Sequence, residues 1–453
     1  MSATLRSETD GGPGRSRRDP VPPVSRPAGF IAALFSGGDS RIAADPHTGL
    51  NKYLCPSVPA PDLVCASSCT ASPVSVPGFD RAAAAYADVV GAPSPRQRAD
   101  RLAALTSQIE TRLLQYFGAS GLAQAILCPS GTDALLTTAM LLAAERPDAP
   151  MTAILPAAVE TGTGVPLAAE GRIFDGPDSG LSLTDGEPTR VEIPLRSADG
   201  APLPADAVNA AFAAAVAAAS GNVIVYLTYS TKTGLIAPLS PPAGADVIVD
   251  ACQARIAPET VVACLRRGWP VVVTGSKFFG GPAFSGAVLF PRDRPPPIWQ
   301  RPLPFALRDT ARLGSALRWT AALATIEAFE PLAAGMADVL VRRAASVAQA
   351  IAANPALVPV GGMQPDGSGW ADQPSIFTFA VRDPRDRQRL LPASELRPLY
   401  ERLARRGVLL GQPVGLGSFG GLRIAFGARD LLDAAGDDGL VRVFAALAAA
   451  TVP

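Results

Sequence analysis

Lysine and histidine are both scarce in this chain of 453 residues. Lys52, Lys232 and Lys277 are its only lysines, so arginine supplies nearly all of the 40 basic residues. His47 is the single histidine. One histidine excludes a multi-histidine metal site and argues against Ser/His/Asp and Cys/His catalysis. Because arginine is used almost everywhere else, a lysine that follows a buried strand is a candidate functional residue.

Cysteine does not occur in the patterns that bind zinc or form a disulfide framework. The chain contains no Cys-x-x-Cys pair and no regular cysteine spacing. Isolated cysteines in or beside apolar runs are typical of buried thiols in a reducing compartment. The six cysteines are Cys55, Cys65, Cys69, Cys128, Cys252 and Cys264.

Long hydrophobic runs and an excess of either charge are also missing. The segment 205–220 is dominated by alanine and is shorter than the roughly 20 strongly apolar residues that cross a bilayer. Forty basic residues balance forty acidic residues, so no nucleic-acid or membrane partner is expected. Residues 1–29 lack the apolar stretch of a signal peptide and are predicted to form a flexible tail. We therefore predict a cytoplasmic protein.

Short apolar runs alternate with helical patterns in the middle of the chain. Such runs, β-branched and without polar alternation, are typical of strands covered by helices on both faces. We predict a three-layer α/β fold with a mainly parallel sheet in a large domain, 105–312, and a smaller α+β domain, 313–453. Residues 30–104 would form an N-terminal segment with a polar loop. The predicted strands of the large sheet are 125–128, 152–155, 223–227, 247–249, 271–273 and 287–290.

Beyond residue 304 longer helical patterns appear. They predict helices 315–329, 332–352, 393–406 and 439–450, and strands 376–381 and 422–426. Ligands of parallel sheets gather at the carboxyl ends of the strands, and the chemistry is expected there.

The first polar group at a strand end is the turn Ser130-Gly131-Thr132, which leads into an Ala/Leu-rich helix. Free N–H groups at the helix start would bind a phosphate, with Gly131 allowing close approach and Ser130 or Thr132 adding a hydroxyl. Ser130 or Thr132 could equally serve only as a helix cap.

The second polar group is Asp250, which follows the apolar run 247–249. A carboxylate at the end of a buried strand is partly desolvated, so it needs a cationic partner. The alternative is that Asp250 caps the next helix.

The third polar group is Lys277, which follows the run 271–273 and precedes Phe278 and Phe279. These surroundings favour the uncharged amine, a nucleophile that can form a Schiff base. A solvated loop lysine is the alternative, and the scarcity of lysine in this chain argues against it.

A phosphate-binding turn, a buried acid and an imine-forming lysine are the three attachment points of pyridoxal 5′-phosphate (PLP). Asp250 would keep the pyridine nitrogen protonated, so that the cofactor acts as an electron sink. The three motifs together are more specific than any one of them.

With these motifs the sequence resembles the fold-type I PLP enzymes, and within them the class V aminotransferase and cysteine desulfurase branch, from about residue 105 onward. The resemblance implies that Gln253 reaches the phenolic oxygen of the cofactor, that Thr274 contacts its phosphate and that Arg423 binds the substrate carboxylate through a two-point pair. It also implies a homodimer with active sites near the interface. The matching stretches are Ser130-Gly131-Thr132, Asp250-Ala251-Cys252-Gln253, Lys277 followed by Gly281-Pro282, and Gly421-Leu422-Arg423-Ile424-Ala425-Phe426-Gly427.

The chain also departs from the family pattern. Where family members stack a histidine or an aromatic ring on the cofactor, the comparable stretch here is 160–164, which would put Thr161 in that place. Ser276 replaces the histidine that often precedes the lysine, so proton transfer would fall largely to Lys277. Desulfurases that pass a persulfide use a mobile late cysteine, and none follows Cys264.

Three assignments stay open from the sequence. Arg423 alternates with apolar neighbours and could face water instead of a substrate. Residues 228–234, which include Lys232, could line the substrate pocket or form an exposed turn. The polar stretch 49–72 could cover an active site, across a dimer interface for example, or pack on the surface.

The sequence therefore predicts a PLP-dependent enzyme that acts on a small-molecule substrate, an amino acid, through an external aldimine. Transamination is the first interpretation, and β-elimination or β-replacement by a carbon–sulfur lyase is the nearest rival because the cofactor performs both. A non-catalytic scaffold that binds a phosphate ligand is the alternative from a different class. No metal is predicted.

Overall fold

The computed structural model describes residues 28–146, 148–176, 178–184, 187–236, 240, 243–294, 309–362, 367–433 and 436–451. Nearly all of the predicted tail 1–29 lies outside these residues. The strands are β1 (Val64–Ala66), β2 (Ala123–Cys128), β3 (Met151–Pro156), β4 (Thr189–Ile193), β5 (Asn222–Thr228), β6 (Asp246–Ala251), β7 (Val271–Thr274), β8 (Gly286–Pro291), β9 (Leu357–Pro359), β10 (Ile376–Val381), β11 (Val408–Gly415) and β12 (Gly420–Ala425).

Helices separate most of these strands. They are α1 (Phe30–Leu34), α2 (Val76–Val90), α3 (Pro95–Tyr116), α4 (Gly131–Ala143), α5 (Val165–Ala169), α6 (Ala205–Ala218), α7 (Pro258–Arg266), α8 (Asp309–Phe329), α9 (Met336–Ala353), α10 (Ala393–Arg405), α11 (Ala428–Leu432) and α12 (Gly436–Thr451). The helix predicted over 332–352 starts too early. Residues 330–335 form a 3-10 turn that contains Pro331, which lacks an N–H donor, and α9 begins after it.

Seven strands form the large sheet, in the order β2-β8-β7-β6-β5-β3-β4. Strand β8 is antiparallel to both of its neighbours, and the other neighbouring pairs are parallel. The mainly parallel sheet is therefore confirmed, and each of its six predicted strands lies in an observed strand. Edge strand β4 was not predicted, because it is short, mostly polar and largely exposed.

Helices cover both faces of this sheet. Successive side chains of a strand point to opposite faces, and in β5 Val225 and Tyr226 accordingly belong to two different apolar clusters. One cluster includes residues of α3, α6, α7 and α8, and the other includes residues of α4 and α5. The three-layer α/β architecture is therefore confirmed.

Five strands form a second, smaller sheet in the order β1-β11-β12-β10-β9. Predicted strands 376–381 and 422–426 correspond to β10 and β12. Strand β11, which contains Gly-Gln-Pro, was not predicted. Strand β1 comes from the N-terminal segment and pairs in parallel with β11, so residues 30–104 take part in the smaller sheet.

The connections of the large sheet determine where the chemistry lies. Helix α4 starts directly after β2, Asp250 is near the end of β6, and Lys277 follows β7. Strands β2, β6 and β7 run in the same direction, so these three positions meet at one edge of the sheet. No described helix is long and apolar enough to cross a membrane.

Candidate active site

A cavity of about 170 Å³ lies at this edge of the large sheet and reaches the smaller one. Its walls come from the ends of β2, β5, β6 and β7, from β11 and β12, and from the N-terminal segment. Every site residue predicted from the sequence lines it. These residues are Ser130, Gly131, Thr132, Thr161, Asp250, Gln253, Thr274, Lys277 and Arg423.

The amine of Lys277 lies inside this cavity. Its Nζ donates a hydrogen bond to the backbone carbonyl of Thr70. Burial lowers the pKa of Lys277 to about 8, and the neighbouring thiol groups of Cys69 and Cys252 oppose this shift. A solvated loop lysine would show neither feature. The structure therefore provides an amine that is partly uncharged near neutral pH.

Asp250 is one residue from the end of β6 and is buried. Its Oδ1 accepts a hydrogen bond from the N–H of Cys252 at 3.0 Å. Burial raises the pKa of the carboxyl group, while the Cys252 hydrogen bonds and the charge of Lys277 act in the opposite direction. The next helix, α7, has Ala257 at its N-cap, so Asp250 does not cap it. Asp250 makes no ion pair within the described part of the chain, and it is available to a cationic ligand group.

The start of α4 has a side-chain helix cap and also free N–H groups that could bind a phosphate. Ser130 is the N-cap, and its hydroxyl accepts from the N–H of Asp133 at 3.2 Å and donates to Asp133 Oδ2 at 2.8 Å. The N–H groups of Gly131 and Thr132 open the helix and have no intrahelical acceptor. A Cβ on Gly131 would lie 2.7 Å from Cys252 Sγ. Gly131 is therefore required by close packing, and its backbone faces the cavity.

Two threonine side chains in the cavity lining are almost completely buried. Thr161 and Thr228 are 2% and 5% exposed, and the Oγ1 of each has no hydrogen-bond partner among the described residues. Buried polar side-chain atoms are normally hydrogen-bonded. Both residues line the cavity, so a ligand is a candidate partner for these hydroxyls.

Gln253 and Thr274 are held by neighbouring backbone. Gln253 Nε2 donates to the carbonyl of Cys69 at 3.1 Å, and Thr274 Oγ1 donates to the carbonyl of Cys252 at 2.6 Å. Gln253 Oε1 accepts from Arg255 Nη1 at 3.0 Å. Arg255 was not predicted as a site residue, although it is adjacent to the Asp-x-x-Gln motif.

Arg255 organises the wall behind Gln253. It is buried, and it donates to the hydroxyls of Ser375 and Ser68 at 2.7 Å each and to the carbonyl of Phe426 at 2.8 Å. Burial lowers its pKa to about 10. Arg255 therefore connects the end of β6 to the N-terminal segment and to the end of the smaller sheet.

Arg423 points into the protein and not into water. It is 3% exposed and lies on β12, where it donates to the carbonyls of Gln412 and Lys232 and to the hydroxyl of Thr70. These bonds use four of the five N–H groups of a guanidinium. One N–H, on Nη1, remains. A two-point pair with a carboxylate would therefore require Arg423 to release one of its present contacts.

The N-terminal segment also lines the cavity. Thr70 and Cys69 belong to the stretch 49–72. This stretch therefore reaches the cavity of its own chain. Arg41 lies in the lining too. Its guanidinium pairs with Asp39 and lies over the ring of Phe174, 4.5 Å from the ring centroid. Nothing in the sequence distinguished Arg41 from the other arginines.

The turn 228–234 lines the cavity as well and is not an exposed turn. Lys232 Nζ donates to the carbonyl of Ala158 at 3.0 Å. Beneath it Glu160 is completely buried and accepts from Arg196 Nε at 2.7 Å and from the hydroxyl of Thr233. This buried network fixes the turn against the loop that carries Thr161.

No family model matches the sequence, and no curated protein sequence matches it. Solved structures do match the fold. A NifS-like protein aligns with a TM-score of 0.56 and 14% identity over 85% of this chain and 99% of that chain. The cysteine desulfurase CsdA from Escherichia coli aligns with a TM-score of 0.54 and 15% identity over 86% and 94%.

A cysteine desulfurase from Thermococcus onnurineus, solved in its apo form, aligns with a TM-score of 0.58 and 12% identity over 86% of this chain and 95% of that chain. The resemblance inferred from the sequence is confirmed at the level of the fold. The chain has the fold of the NifS-like proteins and cysteine desulfurases, which is the fold-type I architecture.

Proposed function

We propose that this protein is a PLP-dependent enzyme that acts on an amino acid, and that its reaction is transamination. One observation carries the proposal: the amine of Lys277, the carboxylate of Asp250 and the first amides of α4 line the same cavity. These groups are complementary to an aldehyde, a pyridine nitrogen and a phosphate, respectively.

The residues present fit this cofactor. The hydroxyls of Thr161 and Thr228 have no hydrogen-bond partner within the described part of the chain, which leaves them for polar atoms of the cofactor. Gly131 has no side chain at the point where a phosphate would approach the helix start. Thr274 and Gln253 complete the lining on the side of β6 and β7.

When bound, PLP supplies an aldehyde that binds amines covalently and a ring that accepts electrons. Lys277 is the residue that would hold it covalently. Because burial lowers the pKa of Lys277 to about 8, its amine can lose a proton near neutral pH and can take a proton from the α-carbon of a substrate. Asp250 is proposed to hold a proton on the ring nitrogen.

Arg423 is proposed to bind the substrate carboxylate. Its contacts with the carbonyls of Gln412 and Lys232 orient the guanidinium before any substrate binds, and the two-point pair would replace its contact with the Thr70 hydroxyl. Ordered side chains reduce the entropic cost of binding. Thr161, next to the cavity, is proposed to take the place of a stacking ring.

Carbon–sulfur lyase activity is the second candidate, and the position of Cys69 favours it. The chain has no cysteine after Cys264, yet Cys69 lines the cavity from the N-terminal segment. A Cβ on Gly411 would lie 2.6 Å from Cys69 Sγ and 3.1 Å from Arg423 Nε. The thiol is therefore close to the proposed carboxylate-binding residue.

Amino-acid turnover with and without an α-keto acid separates the two reactions. Transfer of the amino group that requires the keto acid supports transamination. Release of sulfide or ammonia without a keto acid supports the lyase and contradicts transamination.

A third outcome would contradict both reactions. A colourless protein that takes up no added PLP would be a scaffold. Reduction with borohydride followed by peptide mapping tests this directly, because the chain offers only three lysines. Lys52→Met is the matched control, since Lys52 is exposed and lies outside the cavity lining.

The homodimer and the cytoplasmic location belong to the same proposal. The homodimer rests on the sequence resemblance, and the location rests on the unpaired cysteines, all six of which are free thiols. Light scattering of the purified protein measures the first. A mass near twice that of one chain is expected, and a monomeric mass would contradict it.

A further inference from the structure

Lys232 has an unusual environment at the substrate side of the cavity. The backbone N–H of Lys232 donates to the carbonyl of Glu160 at 3.1 Å, and the backbone carbonyl of Lys232 accepts from Arg423 Nη1 at 2.9 Å. Its Nζ donates to the carbonyl of Ala158 at 3.0 Å. An ammonium group has three donors, so two remain for other acceptors. Lys232 and Arg423 are thus fixed next to each other through the backbone.

The charges around the cavity do not balance. The lining contains four cations and two acids. Arg41 pairs with Asp39, and the Glu160 carboxylate pairs with Arg196. The remaining charged groups of the lining are Lys232, Lys277, Asp250 and Arg423.

The proposed function uses Asp250 and Lys277 for the cofactor. This leaves the ammonium of Lys232 and the guanidinium of Arg423 without a carboxylate partner among the described residues. Arg423 is buried and the neighbouring Lys232 is half-buried. Two like charges repel each other, and their desolvation is unfavourable unless anions compensate it. The phosphate of the proposed cofactor is assigned to the first amides of α4, so one α-carboxylate would compensate only one of these two cations.

We propose that Lys232 determines specificity by binding a second anionic group, so that the substrate is an amino acid with an acidic side chain. The proposal rests on the proposed function for its amino-acid part. Arg423 binds the α-carboxylate, and Lys232 binds the carboxylate, phosphate or sulfonate of the side chain. Two N–H donors of Lys232 would bind this anion, while the third keeps its hydrogen bond to the carbonyl of Ala158.

The ionisation of Lys232 agrees with this role. Burial lowers its pKa to about 8, Arg423 lowers it further, and Glu160 raises it. Lysine is charged below its pKa, so the ammonium form dominates at pH 7 and is available to an anion. A bound anion would raise the pKa of Lys232 again and would reduce its electrostatic repulsion with Arg423.

The competing explanation is that Lys232 only connects the turn 228–234 to the loop after β3. Removing its charge would then change the stability of the protein but not its choice of ligand. A stability measurement alone cannot distinguish the two explanations, so the test compares ligands.

The test is calorimetric binding of succinate and butyrate to the PLP-loaded protein at pH 7. The two acids share a four-carbon chain and differ by one carboxylate. We expect succinate to bind at least tenfold more tightly to the wild type. In Lys232→Met this ratio should fall below about threefold with butyrate affinity unchanged, and Lys232→Arg should restore part of it because it keeps the charge.

Lys52→Met is the control for a general effect of removing a lysine charge, and its ratio should match that of the wild type. Aspartate against asparagine and phosphoserine against serine then show, from KM, whether the second anion is a carboxylate or a phosphate. A ratio that survives in Lys232→Met, or a wild type without any preference for succinate, would overturn the proposal.

The experiments distinguish a failure of the acidic-substrate proposal from a failure of the proposed cofactor function. A borohydride label on Lys277 together with no succinate preference would leave the cofactor proposal intact and reject the acidic substrate. Succinate preference that disappears in Lys232→Met, in protein that was treated with PLP but carries no label on Lys277, would support the anion site and reject the cofactor bond to Lys277.

Discussion

Lys277 donates a hydrogen bond from Nζ to the backbone carbonyl of Thr70, a residue that precedes it by 207 positions. The hydroxyl of the same Thr70 accepts from Arg423 Nη2 at 3.0 Å and from the N–H of Gln412 at 3.2 Å. Thr70 therefore connects the proposed cofactor-binding amine to the proposed substrate-binding guanidinium. The N-terminal segment is a structural part of the site.

Thr70→Ala tests this connection. The backbone carbonyl remains for Lys277, but Arg423 loses a neutral acceptor, and an unsatisfied buried donor costs about 1–3 kcal/mol. The freed Nη2 N–H can bind the substrate carboxylate together with the remaining Nη1 N–H, so we expect KM for the amino acid to fall roughly tenfold, while the yield of borohydride-reduced cofactor on Lys277 stays the same. Thr70→Ser keeps the hydroxyl and should behave like the wild type. An unchanged KM in Thr70→Ala would show that Arg423 does not depend on this contact.

Gly131→Ala tests the phosphate-binding turn. The added Cβ would meet Cys252 Sγ at 2.7 Å and Thr274 Cγ2 at 3.0 Å, so the start of α4 must shift. We expect the affinity for PLP, measured by equilibrium dialysis, to fall at least tenfold. Combining the change with Cys252→Ala removes the sulfur and should recover part of the affinity.

Gly335→Ala is the matched control for the same substitution, because a Cβ there meets nothing within 4 Å. It should leave PLP affinity unchanged. If Gly131→Ala also binds PLP normally, the cofactor phosphate does not lie at the start of α4.

The pH dependence of PLP uptake tests the environment of Lys277. Burial lowers its pKa to about 8, so about a tenth of the amine is uncharged at pH 7, against fewer than about one in a thousand for an exposed lysine. Only the uncharged amine attacks an aldehyde. The rate at which the apoprotein binds PLP, followed by absorbance, should therefore rise with pH and reach half of its maximum near pH 8.

The groups that face this amine set the position of the midpoint. Cys69 and Cys252 raise the pKa of Lys277, whereas Arg423 and Arg41 lower it. A midpoint close to that of a free lysine, above about pH 10, would mean that the amine is solvated.

Arg255→Met tests the buried network behind Gln253. The substitution leaves the hydroxyls of Ser68 and Ser375 and the carbonyl of Phe426 without their donor. We expect the free energy of unfolding in urea to fall by about 2–4 kcal/mol. Arg266→Met changes an exposed arginine on α7 and should have little effect. Equal stability of the two variants would show that the Arg255 network is not stabilising.

Most strands of the large sheet, and the three polar groups near their ends, could be predicted from the sequence. Asp250 and Lys277 could be found because each directly follows a buried, β-branched run, and parallel strand ends meet at one edge. Gly131 could be identified in the same way, because it lies in the turn between strand β2 and helix α4. Local patterns were sufficient here because strand, turn and functional residue are adjacent in the chain.

Other parts of the site could not be found in this way. Thr70 and Arg41 reach the cavity from a turn-rich segment without hydrophobic periodicity. Their positions depend on long-range contacts, such as the bonds from buried Arg318 to the carbonyls of Leu34 and Ser36. Arg255 looks in the sequence like any of the other arginines, and its role depends on partners far away in the chain.

The most direct test of the central claim is borohydride reduction of the PLP-treated protein, followed by mass spectrometry of its peptides. We expect one reduced cofactor per chain on Lys277, the same label in Lys52→Met and Lys232→Met, and none in Lys277→Ala. A label on Lys52 or Lys232 in the wild type, or no label at all, would contradict the central claim.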